Sequence, residues 1–225
     1  MKIHALICTR DKNLNSITKN LVSYLSSISI NVKLLVGQES IFEGYKKGFA
    51  KCDPDPNDIF ILCHDDIEIK MQPQQFIACL SRVLSKEVGF AGPAGTTFLG
   101  PNAVWWDEQP WRDGLHRGQV FHIKEEKEYS TDYGPFGPVV VLDGLFLSAR
   151  ADVLSQVGLS KPDYFEGDWD FYDIHYTSEA FKSGFTNITV PIKMLHHSSG
   201  SLVGRDSWHK NREAFIANNK LPMVC

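Results

Sequence analysis

The sequence predicts an α/β fold built around a mainly parallel sheet. Short apolar runs at residues 3–8, 32–36 and 59–62 alternate with segments whose apolar residues recur at helical spacing, and polar or glycine-containing loops follow the runs. At 225 residues, 43% hydrophobic and 12% aromatic, the chain suffices for one domain with a full core. A formal net charge of -4 argues against a dedicated nucleic-acid binder. No stretch approaches the roughly 18 consecutive apolar residues of a membrane span. No signal-peptide pattern opens the chain, so a cytoplasmic protein without a transmembrane segment is expected.

The elements follow in order. Residues 3–8 read as a strand, and Thr9, Arg10 and Asp11 open a polar loop. Leu14, Ile17, Leu21 and Leu25 then mark one helix face. Residues 32–36 are a second strand closed by Gly37. Ser40 with Glu43 three residues on is a capping box, and Ile41, Tyr45 and Phe49 line the helix it starts. Segment 53–58, broken by two prolines, is a turn that delivers the chain into residues 59–69, Ile-Phe-Ile-Leu-Cys-His-Asp-Asp-Ile-Glu-Ile. Pro73 begins a helix carrying Phe76, Ile77, Leu80, Val83 and Leu84.

Residues 92–137 change to glycine, proline and aromatics, with a charged run at 124–128, and are too long for an ordinary connection. Trp105, Trp106, Trp111, Phe121 and Phe136 fit either a platform for sugar faces or an irregular satellite core. Residues 139–142 form a strand ending at Asp143-Gly144. Asp168, Asp170 and Asp173 precede or open a helix with Ile174, Tyr176, Ala180 and Phe181, ended by Gly184. Residues 188–190 resume a strand, and Ile192, Met194 and His196 continue one face into His197-Ser198-Ser199-Gly200. Residues 208–215 return to helical spacing.

The chain is organised around residues 59–69, a buried strand that ends in His64, Asp65 and Asp66. In open α/β sheets ligands bind just beyond the carboxyl ends of the strands. His64 and Asp66, two apart, point the same way in extended geometry while Asp65 points to the other side. That arrangement offers two metal ligands and a third group for a neighbouring ring or hydroxyl. A solvated polar turn is the bland alternative. For Asp143, followed by glycine, it is a turn residue. For the acids near residue 170 it is satisfaction of a helix dipole. Five cysteines, an odd number without paired spacing, point to a reducing compartment and no disulfide framework. A catalytic thiol at Cys63 is disfavoured because it and His64 face opposite ways on a strand.

In their order and spacing these segments resemble the family-two-like glycosyltransferases of GT-A fold, over nearly the full length. His64-Asp65-Asp66 stands where that family has its Asp-x-Asp metal motif. Asp143-Gly144 with Arg150 is similar to its Asp-Gly segment before the acceptor-site helix. Phe171-Tyr172-Asp173-Ile174-His175-Tyr176 resembles the Glu-Asp-x-Asp helix whose second acid is the base, with Tyr172 replacing the glutamate and His175 the last acid. The histidines at 196 and 197 resemble the late histidine that completes the metal site.

The resemblance implies a GT-A three-layer sandwich around a mainly parallel mixed sheet. It further implies one domain over residues 1–225, with 1–90 as the nucleotide-binding half and 91–225 as the acceptor-binding half. The implied activity is transfer of a sugar from a nucleotide-diphosphate sugar, a UDP-sugar foremost, to a hydroxyl of a glycan, lipid-linked or protein-linked acceptor, with inversion. Asp66 and His196, with His64 or His197 adjacent, are the implied ligands of Mn²⁺ or Mg²⁺. Asp173 is the implied general base, with Asp168 and Asp170 as rivals, and Asp143 is the second catalytic carboxylate, holding sugar hydroxyls. Thr9, Arg10, Asp65 and Asp66 are expected beside the nucleotide donor.

Two other functions stay open. One is a catalytically inactive nucleotide-sugar or carbohydrate-binding domain, suggested by His64 in place of an acid. The other is a metal-dependent phosphohydrolase, which also needs Asp and His at strand ends. The lack of a Gly-x4-Gly-Lys loop argues against a nucleotide kinase.

Overall fold

The computed structural model describes residues 1–10, 12–124, 127–197 and 206–225. Strand and helix alternate first. β1 (Ile3–Thr9) is buried throughout and leads to Asn15, whose side chain caps α1 (Ser16–Ser27) by accepting the Thr18 N–H. β2 (Asn31–Val36) follows, then α2 (Ile41–Ala50), capped by Ser40 accepting the Glu43 N–H. The Glu43 carboxylate turns to Lys46 and Lys47 at 3.8 and 3.6 Å. Next come β3 (Ile59–Cys63), β4 (Ile67–Ile69), α3 (Pro73–Val83) with proline in its first turn, and β5 (Val88–Gly92).

Beyond residue 92 the chain builds a second sheet. β6 (Ala94–Thr96), β7 (Phe98–Leu99) and α4 (Glu108–Arg112) precede a long hairpin of β8 (His116–Lys124) and β9 (Lys127–Gly134). The sequence reading treats this region as loop, and the hairpin corrects it. β9 is exposed along most of its length, so the alternation of apolar and polar residues that marks a half-buried strand is missing. Residues 125–126 of the charged run lie outside the described residues. The apolar run 139–142 divides between two sheets, as β10 (Pro138–Val139) pairs with β13 and β11 (Val141–Leu142) pairs with β6. β12 (Phe146–Arg150), α5 (Ala151–Val157), α6 (Tyr172–Lys182), β13 (Thr186–Thr189), β14 (Met194–His196), α7 (Asp206–Asn218) and β15 (Met223–Val224) complete the chain.

The larger sheet has the order β10-β13-β5-β12-β3-β1-β2. It is mixed: β3-β1-β2 and β5-β13 are parallel, while β12 runs antiparallel to both its neighbours. The second sheet runs β11-β6-β8-β14-β4 with β9 beside β8. α2 packs on β1 and β2, α1 on β2 and β4, and α6 on β5, β11 and β13. Among the described residues one apolar cluster extends from Ile3 to Met223, with Tyr45, Tyr176, Phe42 and Phe60 among its largest fully buried side chains. Among the described residues no helix is long and apolar enough to cross a membrane.

One feature of this topology positions the site. Because β12 is antiparallel to β3, Phe146 pairs with Cys63 and Arg150 with Ile59. Residues just before Phe146 therefore meet residues just after Cys63 at one end of the sheet. The His64 N–H donates to the Leu145 carbonyl at 3.1 Å and seals that junction.

Candidate active site

Three side chains converge beyond the end of β3. His64 Nδ1 lies 3.7 Å and His196 Nε2 lies 3.4 Å from Asp66 Oδ1, and the two imidazole rings are 5.6 Å apart. His196 ends β14, which pairs antiparallel with β4, so His196 stands opposite Ile67 and next to Asp66. The His197 N–H donates to the Asp66 carbonyl at 2.9 Å and fixes the crossing. One ligand atom from each of His64, Asp66 and His196 lies within 4.8 Å of the others. Asp66 Oδ1 and His196 Nε2 are buried and face each other at 3.4 Å as an ion pair whose geometry makes no hydrogen bond, a poorly satisfied state that a shared cation would relieve. Mixed nitrogen and oxygen donors suit a divalent cation such as Mn²⁺.

The three groups shift one another's charge. Burial alone would raise the Asp66 pKa, but His196 and His64 hold it below the usual carboxylate range. Burial would lower His196, yet its contact with Asp66 leaves it raised. For His64 burial wins over the same carboxylate and keeps the ring neutral.

Behind His64 stands Tyr172, at the start of α6. The residue before it, Phe171, is in the left-handed region at φ 69°, a strained conformation for a bulky residue. Rings of Phe165, Trp208 and Phe215 hold Phe171 at 6.2, 5.4 and 5.7 Å. The turn brings Tyr172 and Asp173 against Gly144. The Tyr172 hydroxyl donates to the Gly144 carbonyl at 2.7 Å and lies 3.0 Å from His64 Nε2. A Cβ on Gly144 would stand 2.6 Å from that hydroxyl and 2.9 Å from the Asp173 Cβ. Glycine is required here for room, not for turn conformation.

Asp173 is half-buried, and its Oδ2 accepts the Gly144 N–H at 3.0 Å. Burial and the neighbouring Asp143 push its pKa up from 3.8 to about 7, against the backbone hydrogen bonds that favour its charge. Asp143 is half-buried too, and its Oδ1 accepts the Leu145 N–H at 2.9 Å. The sheet junction therefore gathers Asp143, Asp173, His64, Asp66 and His196 in one place.

Other residues singled out from the sequence lie farther out or serve elsewhere. Thr9, buried at the end of β1, and Asp65 each stand two residues past the last β1–β3 pair, Ile7 with Cys63, and Arg10 is exposed beside them. Asp168 pairs with Lys161 at 2.8 Å, and Asp170 accepts from the Ser207 hydroxyl. His197 turns to Glu68 at 3.4 Å. Arg150 sits at the opposite end of β12, paired with Asp152 at 2.7 Å and donating to Asn57, so its part is structural. His175 is turned to Glu179 at 3.9 Å, and burial pushes its pKa down to about 4. Burial pushes the Cys63 thiol far up, which argues against a thiolate nucleophile. Ser198, Ser199 and Gly200 fall outside the described residues.

Sequence reasoning missed His122, whose ring lies 6.0 Å from that of His196 and stacks on Tyr129 at 5.2 Å. No local signal marks it, because its strand was read as loop. The aromatics divide between the two expectations: Trp105 is buried against Trp106 and Tyr133, whereas Trp111 and Phe136 are 44% and 43% exposed.

The fold has relatives among solved structures. The chain is similar to the crystal structure of GalNAc-T7 with UDP, GalNAc and Mn²⁺, at 10% identity and TM-score 0.59, over 96% of this chain and 48% of that one. It thus spans about half the length of that protein. Slighter likenesses are to A197 from STIV, at 12% identity and TM-score 0.49 over 88% and 87% of the two chains, and to 4-diphosphocytidyl-2C-methyl-D-erythritol synthase, at 13% identity and TM-score 0.41 over 96% and 100%. No curated protein matches the sequence. The fold is of GT-A type. The profile of the glycosyltransferase-like family matches residues 6–218, nearly the whole chain. The chain belongs to the glycosyltransferase-like family and is an enzyme of the glycosyltransferase class.

Proposed function

We propose that this enzyme moves a sugar from a nucleotide-diphosphate sugar, a UDP-sugar foremost, to an acceptor hydroxyl, with inversion at the anomeric carbon. The observation that carries the proposal is the convergence of His64, Asp66 and His196, with one ligand atom of each within 4.8 Å of the others, beside the Asp173 carboxylate fixed on Gly144 at the same sheet end. His64, Asp66 and His196 would hold Mn²⁺ or Mg²⁺. When bound, the cation supplies Lewis-acid neutralisation of the charge that grows on the departing diphosphate.

Asp173 takes the proton of the acceptor hydroxyl as it attacks. A base with pKa near the operating pH combines a useful ionised fraction with adequate proton affinity. Its Gly144 N–H bond fixes the carboxylate while Asp143 orients hydroxyls of the sugar or acceptor. Thr9, Arg10 and Asp65 line the nucleotide side, in the half formed by residues 1–90, and the acceptor, a glycan or a lipid- or protein-linked group, enters on the side of residues 91–225.

The test is thermal stability with UDP, GDP, dTDP and CMP, each with and without Mn²⁺, because a ligand of the folded state raises the melting temperature. Metal-dependent stabilisation by one nucleotide that disappears in Asp66→Ala is expected. No shift with any nucleotide would overturn the donor-site reading.

A further inference from the structure

We propose that Tyr172 is a positioning residue that sets the tautomer of His64, placing the ring proton on Nε2 and baring the Nδ1 lone pair toward Asp66 and His196. The inference rests on the metal-site reading above and adds the device that prepares one of its ligands. A carbonyl oxygen has no proton to give, so the 2.7 Å contact between the Tyr172 hydroxyl and the Gly144 carbonyl uses the phenolic proton. The same oxygen lies 3.0 Å from His64 Nε2 and has only acceptor capacity left. His64 Nε2 must then be the donor. A neutral imidazole carries one ring proton, so Nδ1, 3.7 Å from Asp66 Oδ1, is left as the acceptor atom that a cation needs.

The chain of bonds continues beyond Tyr172. The peptide between Gly144 and Leu145 accepts from Tyr172 at its oxygen and donates from its N–H to Asp143 Oδ1 at 2.9 Å. Each bond in such a series polarises the next, so the Asp143 carboxylate strengthens the acceptor that orients Tyr172. Without the hydroxyl, the His64 proton would be free to move to Nδ1 and pair with Asp66 Oδ1, the atom the cation needs. Outer partners of this kind fix the orientation and tautomer of ligating histidines, and their loss weakens metal affinity about 10–100-fold. The Tyr172 ring is packed by Tyr45 at 5.9 Å, Tyr176 at 6.1 Å and Phe42 at 6.5 Å, so phenylalanine keeps the packing and deletes only the hydroxyl.

Long-range ¹H–¹⁵N spectra of the ¹⁵N-histidine-labelled, metal-free protein at pH 8 read the tautomer directly, and Mn²⁺ titration followed by water proton relaxation reads affinity. Expected are an Nε2–H signature for His64 in the wild type, its loss or mixing in Tyr172→Phe, and about 10–100-fold weaker Mn²⁺ binding in that variant. An Nδ1–H signature in the wild type would overturn the proposal without recourse to any variant. An unchanged tautomer and affinity in Tyr172→Phe would overturn it equally. If the wild type shows Nε2–H lost in Tyr172→Phe but binds no Mn²⁺, the positioning of the ring stands and the metal reading falls, so the two failures are distinguishable.

Discussion

Asp173 Oδ2 accepts the backbone N–H of Gly144 at 3.0 Å, joining the first turn of α6 to the loop between β11 and β12. The bond holds a carboxylate in place beside a second one, Asp143; burial first and that neighbour second raise the Asp173 pKa to about 7, against the bond itself, which favours the charged form. A group so placed suits proton abstraction.

Asp173→Asn is expected to lower kcat about 10²–10⁴-fold while the protein stays folded, since a positioned base contributes on that order. Steady-state transfer assays and near-UV circular dichroism check both halves of the statement. Activity equal to wild type would remove Asp173 from the base role.

The pH dependence has a definite sign. With Asp173 titrating near 7 in the free enzyme, kcat/KM should rise tenfold per pH unit below about 7 and level off above it. Stability moves the other way: the folded state holds the Asp173 proton more tightly than the unfolded chain, so wild type gains stability relative to Asp173→Asn as pH falls from about 8 toward 4. Urea midpoints of the two proteins across that range test it, and parallel curves would show that the pKa is not raised.

Gly144→Ala places a methyl group 2.6 Å from the Tyr172 hydroxyl and 2.9 Å from the Asp173 Cβ. Forcing it in should cost about 1–3 kcal/mol and lower transfer as Asp173 is displaced. Denaturant titration and kinetics on one preparation measure the two effects, and Gly137→Ala, where a Cβ meets nothing within 4 Å, serves as the control.

Asn187 is a buried structural hub, accepting from the Phe90 N–H at 3.0 Å and donating to the Val140 and Thr177 carbonyls at 2.7 Å each. Asn187→Leu leaves these groups unpaired and should destabilise by about 3 kcal/mol or more. A smaller loss in chemical denaturation would mean that the site admits water.

Residues 1–84 were largely legible because their signals are local, whereas β5 (Val88–Gly92) was not read as a strand. Apolar runs of period two or unbroken burial, helical spacing in Leu21 and Leu25, the Ser40 cap and Pro73 at a helix start each depend on a few neighbouring residues. Residues 92–137 were not, since an exposed strand such as β9 has no buried face to impose alternation, and its partner β8 was hidden with it.

For the site, the sequence by itself determined the kinds of groups present: His64, Asp65 and Asp66 after a buried strand, Asp143 before glycine, Asp173 at a helix start and the paired histidines at 196 and 197. Tertiary structure alone decided their arrangement. The reversal of β12 brings Gly144 to the end of β3, the β4–β14 pairing carries His196 to Asp66, and the left-handed turn at Phe171 aims Tyr172 and Asp173 at Gly144. Side-chain chemistry and periodicity are written in short stretches of chain. Which groups share a proton or a cation depends on contacts between residues as far apart as 64 and 196, and those exist only once the sheets have formed.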